Sequence, residues 1–123
     1  MQQLNLVAQQ FRDTEIIHIS GVIDTGNFNQ LSTLLGKQLQ ACRHGGATPQ
    51  VILECGHLQH ISSGTLKAIL DFAHLARDLG GDIKCARLAP TIEQIVNLIA
   101  NGDPLDCYPD VSYALDAFHG VTA

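Results

Sequence analysis

The sequence predicts an α/β domain: one mixed β-sheet of about four to five strands packed against about four α-helices. Three observations carry this. Apolar residues alternate with period two in some segments and recur at three and four in others; the two kinds of segment take turns along the chain; and glycine pairs, Gly45-Gly46 and Gly80-Gly81, close helical stretches just before strand-like ones.

Leu4, Leu6 and Ala8 alternate with other residues as a strand does, and Ile17 and Ile19 alternate about His18 in a second strand over Thr14–Gly21. A turn near Arg12-Asp13 pairs the two. Phe28, Leu31, Leu34, Leu35, Leu39 and Cys42 fall on one helical face, and Gly45-Gly46 ends that helix. Val51-Ile52-Leu53 is a continuous apolar run, as in a strand covered on both faces. Leu66, Ile69, Leu70, Ala73 and Ala76 form a second helical stripe that stops at Gly80-Gly81, and a strand follows through Ile83 to Leu88. Pro90 or Thr91 opens a third helix. Thr91 with Gln94 can form a capping box, Ile92, Ile95, Val96 and Ile99 make the buried face, and Gly102 ends it. Asp110 caps a last helix that carries Val111, Ala114, Leu115 and Phe118. The order β-β-α-β-α-β-α-α makes the later strands parallel, joined by right-handed crossovers.

Size and charge restrict the function. A chain of 123 residues fits one domain, residues 1–123, and buries about two-thirds of its unfolded surface without staples. Seven Lys and Arg stand against twelve Asp and Glu with no basic run, so no nucleic-acid partner is expected, because phosphate neutralisation needs clustered cations. No apolar stretch approaches the roughly 20 residues that a bilayer-spanning helix needs, and Met1 to Gln10 lacks the basic start and apolar run of a signal peptide. A cytoplasmic protein with no direct membrane insertion is the expectation. Cys42, Cys55, Cys85 and Cys107 are widely spaced and include no C-x-x-C pair, so reduced, mostly buried thiols are expected.

The most specific signal lies in Val51 to Leu70, VILECGHLQHISSGTLKAIL: a buried strand, a short irregular linker, then Ile61-Ser62-Ser63-Gly64 leading into an amphipathic helix. Adjacent serines at a helix start are capping residues by default, since a hydroxyl there accepts a bond from a first-turn amide. With its neighbours, this stretch resembles the STAS domain, the fold shared by bacterial anti-sigma-factor antagonists and the cytosolic tails of sulfate transporters. The family motif is apolar-Asp-Ser-Ser/Thr/Ala-Gly-Leu before a helix. Ile19-Ser20-Gly21-Val22-Ile23-Asp24, Gly80-Gly81-Asp82-Ile83, Leu88-Ala89-Pro90-Thr91 to Gly102, and Tyr113-Ala114-Leu115 resemble further family segments in order, over roughly residues 4 to 118. An ungapped match sets Ser62 at the family Asp, Ser63 at the phosphorylatable Ser, Gly64 at the next small residue, Thr65 at the Gly and Leu66 at the Leu. Sliding by one residue would put Ile61 at the Asp and Leu66 at a Gly, so the ungapped register is preferred.

The resemblance implies a STAS-like single mixed sheet and a non-enzymatic regulator that works by partner switching. The unmodified antagonist binds an anti-sigma factor that is also a serine kinase, here expected to be of the GHKL type, and phosphorylation breaks the complex. It implies Ser63 as phosphate acceptor, with Ser62 as the alternative, and Asp24, Ser62, Ser63, Gly64 and Thr65 as the partner-binding surface, on one rim of the sheet. The chain departs from the family where Ser62 replaces the Asp and Thr65 the Gly; these remove a carboxylate beside the acceptor and add a β-branch that narrows the backbone conformations available. A scaffold or subunit of a transporter or stressosome-like complex, using the same surface without phosphorylation, is the alternative. Self-association stays open.

Two other chemistries weigh less. Cys55, His57 and His60 form a C-x-H-x-x-H cluster of zinc-type ligands, but the sequence supplies no evident fourth ligand, so neither metal nor cofactor is expected. Ser63 lacks a G-x-S-x-G elbow, and no G-x-x-x-x-G-K-[ST] loop exists, so nucleophilic catalysis and nucleotide hydrolysis have no support.

Overall fold

The computed structural model describes residues 4–46, 48–100 and 105–119. The elements run β1 (Leu4–Phe11), β2 (Thr14–Ile23), α1 (Phe28–Gly45), β3 (Gln50–Ile61), α2 (Ser63–Asp78), β4 (Asp82–Ala86), α3 (Pro90–Ala100), β5 (Cys107–Tyr108) and α4 (Val111–His119). They form one five-stranded sheet in the order β1-β2-β3-β4-β5, antiparallel between β1 and β2 and parallel thereafter.

The strand order advances in one direction. Right-handed crossovers therefore place α1, α2 and α3 on the same face of the sheet. Period-two alternation then divides the strand residues between two cores. Ile17, Ile19, Ile23, Val51, Leu53, Ile83 and Cys85 pack under α1–α3, against Leu31, Leu35, Leu66, Ile69, Ala73, Ile92 and Val96. Ile16, Ile52 and Ala86 face the other way and are covered by α4 through Ala114, Val111, Leu115 and Phe118. The run Val51-Ile52-Leu53 is apolar throughout because each of its faces carries a helix layer.

On the α4 side Lys84 is buried along its stem. Its ammonium lies 5.6 Å from the Tyr108 ring centre and 5.0 Å from that of Phe118, and it donates to Asp82 Oδ2 at 3.1 Å and Asp106 Oδ2 at 3.2 Å. Between α2 and β4, a Cβ on Gly81 would stand 1.8 Å from the Pro49 carbonyl oxygen. Only glycine lets those two backbones approach so closely.

The structure corrects the sequence reading at several points. β3 does not stop after Leu53 before an irregular linker. It continues to Ile61 and absorbs two register shifts against β2, between His18 and Ser20 and between Gly21 and Val22. β4 ends at Ala86, before Leu88, and a further strand, β5, follows α3. The Ala89 carbonyl accepts the Ile92 and Glu93 amides, so Pro90 is the first residue of α3 and Thr91 lies inside the helix instead of capping it. Ile95, expected on the buried face, is 39% exposed, because α3 packs on α2 at the margin of the sheet beside a strand of only two residues. Gly102 lies outside the described residues. The Asp110 cap forms as expected, with the Tyr113 amide donating to Asp110 Oδ1 at 3.0 Å.

Candidate functional site

Parallel pairing of β2 with β3 ends at Ile23 and Ile61, so the residues that follow each strand emerge side by side. The Ser62 amide donates to the Ile23 carbonyl at 3.1 Å, which joins the two exits. Asp24 and Ser62 thus begin two adjacent loops on one rim.

Asp24 turns the chain into α1. Its Oδ1 accepts the Gly26 amide at 2.9 Å and the Asn27 amide at 3.2 Å, and its carbonyl accepts the Phe28 amide at 3.0 Å. Asn27 returns the contact: its Oδ1 accepts the Asp24 amide at 3.0 Å, and its Nδ2 donates to the Val22 carbonyl at 2.9 Å. The carboxylate is exposed at the positive end of α1, where a negative charge is favoured.

Ser62 and Ser63 divide the start of α2 between them. Ser62 is the N-cap, in extended conformation, and its Oγ accepts the Thr65 amide at 3.2 Å and lies 2.5 Å from Thr65 Oγ1. Its side chain is committed to the helix. Ser63 is the first helical residue and is exposed, as is Gly64, whereas Thr65 is fully buried. The two departures from the family motif support each other, since Thr65 supplies a hydroxyl that pairs with the one Ser62 brings in place of a carboxylate. The Thr65 side chain is held in the first turn of a regular helix, a conformation its β-branch tolerates. No acidic residue occupies that first turn, so the positive end of α2 faces the rim with a hydroxyl cap alone.

The structure therefore brings Asp24, Ser62, Ser63, Gly64 and Thr65 together. It adds Thr25, which the sequence reading missed: Thr25 Cγ2 lies 3.9 Å from where a Cβ on Gly64 would be. Asn27 was also missed, though Asp-x-x-Asn ahead of a helix is a readable turn signal.

Cys55, His57 and His60 are not gathered into a ligand set. The bulges of β3 turn Cys55, Leu58 and Ile61 into the α1–α3 core, where the Cys55 thiol donates to the Leu53 carbonyl at 3.4 Å, while His57 and His60 are exposed. Among the described residues no group of three or more His, Cys, Asp or Glu is placed to hold a metal ion. On the α4 side of the same bulge, buried Glu54 accepts the Gly56 amide at 2.7 Å and lies 3.2 Å from His18 Nδ1 and 3.6 Å from Arg87 Nη1. This cluster fixes the path of β3 toward Ser62. A shallow depression of about 400 Å³, lined by Gln10, Asp13, Gln38, Cys42, Thr48 and Gln50, lies at the opposite rim. Among the described residues no helix is long and apolar enough to cross a membrane.

Comparison with known proteins identifies the family and matches the fold. The sequence model of the family described as STAS domain matches residues 5–114. No curated protein matches at a significant level. The anti-sigma factor antagonist SpoIIAA in its unphosphorylated form superposes with a TM-score of 0.70 at 20% identity, covering 100% of both chains. The phosphorylated form of SpoIIAA, from Bacillus, gives 0.65 at 20% identity over 95% of this chain and 98% of that one. An anti-sigma factor antagonist from Mycobacterium paratuberculosis gives 0.79 at 15% identity over 95% of each chain. The murine anion transporter of solute carrier family 26, member A9, gives 0.62 at 15% identity, with 92% of this chain aligned to 19% of the transporter. At these identities the likeness is one of fold.

Proposed function

This chain belongs to the STAS domain family, and from that premise we propose that it is a non-enzymatic regulator of the anti-sigma-factor-antagonist kind, switched by phosphorylation of Ser63. Its partner is an anti-sigma factor that is also a serine kinase of the GHKL type. Docking uses the rim of Asp24, Ser62, Ser63 and Gly64; Thr65, expected from sequence on that surface, is buried beneath it and acts only by holding Ser62 in place.

One observation carries the reading: Ser63 is an exposed hydroxyl on the first residue of α2, beside the Asp24-Thr25 loop, while the Ser62 hydroxyl is occupied as the cap. A kinase reaches an exposed serine more readily than one that holds a helix start. Phosphorylation adds about −1.5 to −2 charges. The positive end of α2 stabilises that phosphate on the free chain, whereas in the complex the same charge and bulk enter a contact built around a small hydroxyl. Binding then falls while the domain stays folded.

The chain isolated from its own cells tests this. Phosphopeptide mapping is expected to place phosphate on Ser63, retained in Ser62→Ala and lost in Ser63→Ala. The co-purifying kinase is expected to bind Ser63→Asp at least about tenfold more weakly than wild type, a loss of about 1.4 kcal/mol. Equal binding of wild type and Ser63→Asp sinks the switching mechanism. That result favours a second reading, a docking subunit of a transporter or stressosome-like complex that uses the same rim without phosphorylation; the likeness to a transporter domain motivates it.

A further inference from the structure

We propose that Cys85 and Cys107 form an oxidation-sensitive thiol pair, a modification site that a small peroxide converts to a disulfide tying β5 to β4. This stands apart from the role of Ser63.

Three of the four cysteines line up on neighbouring strands β3, β4 and β5, on the face under α1–α3. The parallel ladder sets Leu53 opposite Cys85 and Cys85 opposite Cys107. Directly paired residues in a ladder point to the same face, and strands lie about 4.8 Å apart. That spacing falls inside the Cα separation of roughly 4.4–6.8 Å that a disulfide spans. The Cys85 thiol lies within interaction range of the thiols of both Cys107 and Cys55, which raise its pKa, and the Cys107 thiol also donates to the Leu105 carbonyl at 3.3 Å.

Exposure and strand position select Cys107 over Cys55 as the partner. Cys55 and Cys85 are buried, whereas Cys107 is half-buried and open to a small oxidant. Cys55 sits on long β3, inside the sheet, and lies diagonal to Cys85. Cys107 sits on a two-residue edge strand, joined to β4 through the Cys85 amide to the Asp106 carbonyl at 2.8 Å and the Arg87 amide to the Tyr108 carbonyl at 3.0 Å. A strand held by so few bonds can shift as the S–S bond forms. The hydrogen bond from Cys85 lowers the Cys107 thiol pKa against burial and the charges of Glu93 and Asp106, while the Cys85 pKa is raised by its hydrogen bonds to Cys107 and Cys55 and by burial.

Cys107 thus reacts first. Its thiolate attacks one oxygen of hydrogen peroxide, the O–O bond breaks, and the hydroxide released takes a proton to become water; Cys107 is left as a sulfenic acid. The Cys85 sulfur then attacks the Cys107 sulfur as its own proton leaves. The S–O bond breaks and a second water departs. Two thiols are oxidised and one peroxide is reduced. The bridge closes a loop that contains all of α3 and removes conformational freedom from the unfolded chain.

The test uses the full chain treated with a small molar excess of hydrogen peroxide, alkylated with iodoacetamide, denatured and digested with trypsin. Its Lys and Arg positions put each cysteine in a separate peptide: Gln38–Arg43, His44–Lys67, Cys85–Arg87 and Leu88–Ala123. Cys85–Arg87 is expected to appear linked to Leu88–Ala123, lighter by two hydrogens, with Cys42 and Cys55 alkylated. The oxidised chain is expected to melt at a higher temperature than the reduced one, and dithiothreitol is expected to reverse the shift. Cys55→Ser is expected to retain both effects. Cys107→Ser, checked by circular dichroism for a native fold, is expected to lose both. A Cys55–Cys85 bridge, sulfinic or sulfonic acid on Cys107 without a bridge, or four alkylated thiols after treatment overturns the proposal.

Discussion

Deleting the Ser62 hydroxyl separates the two serines by their physical roles. In Ser62→Ala the Thr65 amide loses the acceptor it has at 3.2 Å and the Thr65 hydroxyl loses its partner at 2.5 Å. Loss of an N-cap costs about 1 kcal/mol. Stranding a buried hydroxyl adds about 1 kcal/mol, the low end of the usual range because half-buried Ser62 leaves water a path to the site. The total of about 2 kcal/mol corresponds to a fall in Tm of about 8 °C for a domain of this size. Ser63→Ala, at an exposed position, is expected to stay within about 0.5 kcal/mol of wild type. Ser62→Asp restores the family residue: a carboxylate can accept from both Thr65 groups and sits at a helix N-terminus, so this variant is expected to match or exceed wild type at neutral pH. Urea denaturation followed by circular dichroism measures all three. The reasoning fails if Ser62→Ala unfolds within about 0.5 kcal/mol of wild type, or if Ser63→Ala costs as much as Ser62→Ala.

The remaining expectations use the same assay. Gly81→Ala drives a Cβ into the Pro49 carbonyl, whereas Gly56→Ala meets the Arg87 guanidinium at 2.6 Å and the Glu54 carboxylate at 2.7 Å, both side chains; Gly81→Ala is expected to cost more than about 2 kcal/mol and Gly56→Ala less, and the reverse order would contradict the geometry. Burial opposes the charge on Lys84, but hydrogen bonds and charge from Asp82, then Asp106, outweigh it and raise its pKa above the ordinary value of 10.5. The folded state therefore holds this proton more tightly than the unfolded state, and the contribution is fully present below pH 10.5 and lost as pH rises through the higher folded value; Lys84→Met should flatten the alkaline fall in stability. Burial raises the Glu15 carboxyl above 4.5, so its contribution is greatest below that pH and is lost on moving toward neutrality. Glu15→Gln is expected to equal wild type at pH 3 and to be at least as stable at pH 7, and a loss confined to pH 7 would contradict this.

Much of the fold was legible because hydrophobic period is a local property. Leu31, Leu35 and Leu39, or Leu66, Ile69 and Ala73, report a helical face whatever they pack against. The rim was legible for a similar reason: parallel strands that enter together also exit together, so Asp24 and Ser62 had to lie at one end of the sheet. β5 was not, since Cys107-Tyr108 is too short to show a period. Ile95 read as core because periodicity marks a stripe but not how much of it finds a neighbour.

Tertiary structure decided what happens at the rim. Sequence admitted either serine as the cap, and only the position of buried Thr65 committed Ser62 to that bond and left Ser63 exposed. The same holds for register. Continued without shifts from the pairing of His18 with Glu54, the ladder would set Ile23 opposite Gln59; the two bulges in β3 set it opposite Ile61 instead. That slip of two residues places Ser62 beside Asp24 and Gly64 against Thr25. Nothing in the string CGHLQHI marks where the extra residues fall, because a bulge is set by what lies on both sides of a strand: Cys55, Leu58 and Ile61 drawn into one core, and Glu54 held to Gly56 and Arg87 on the other face.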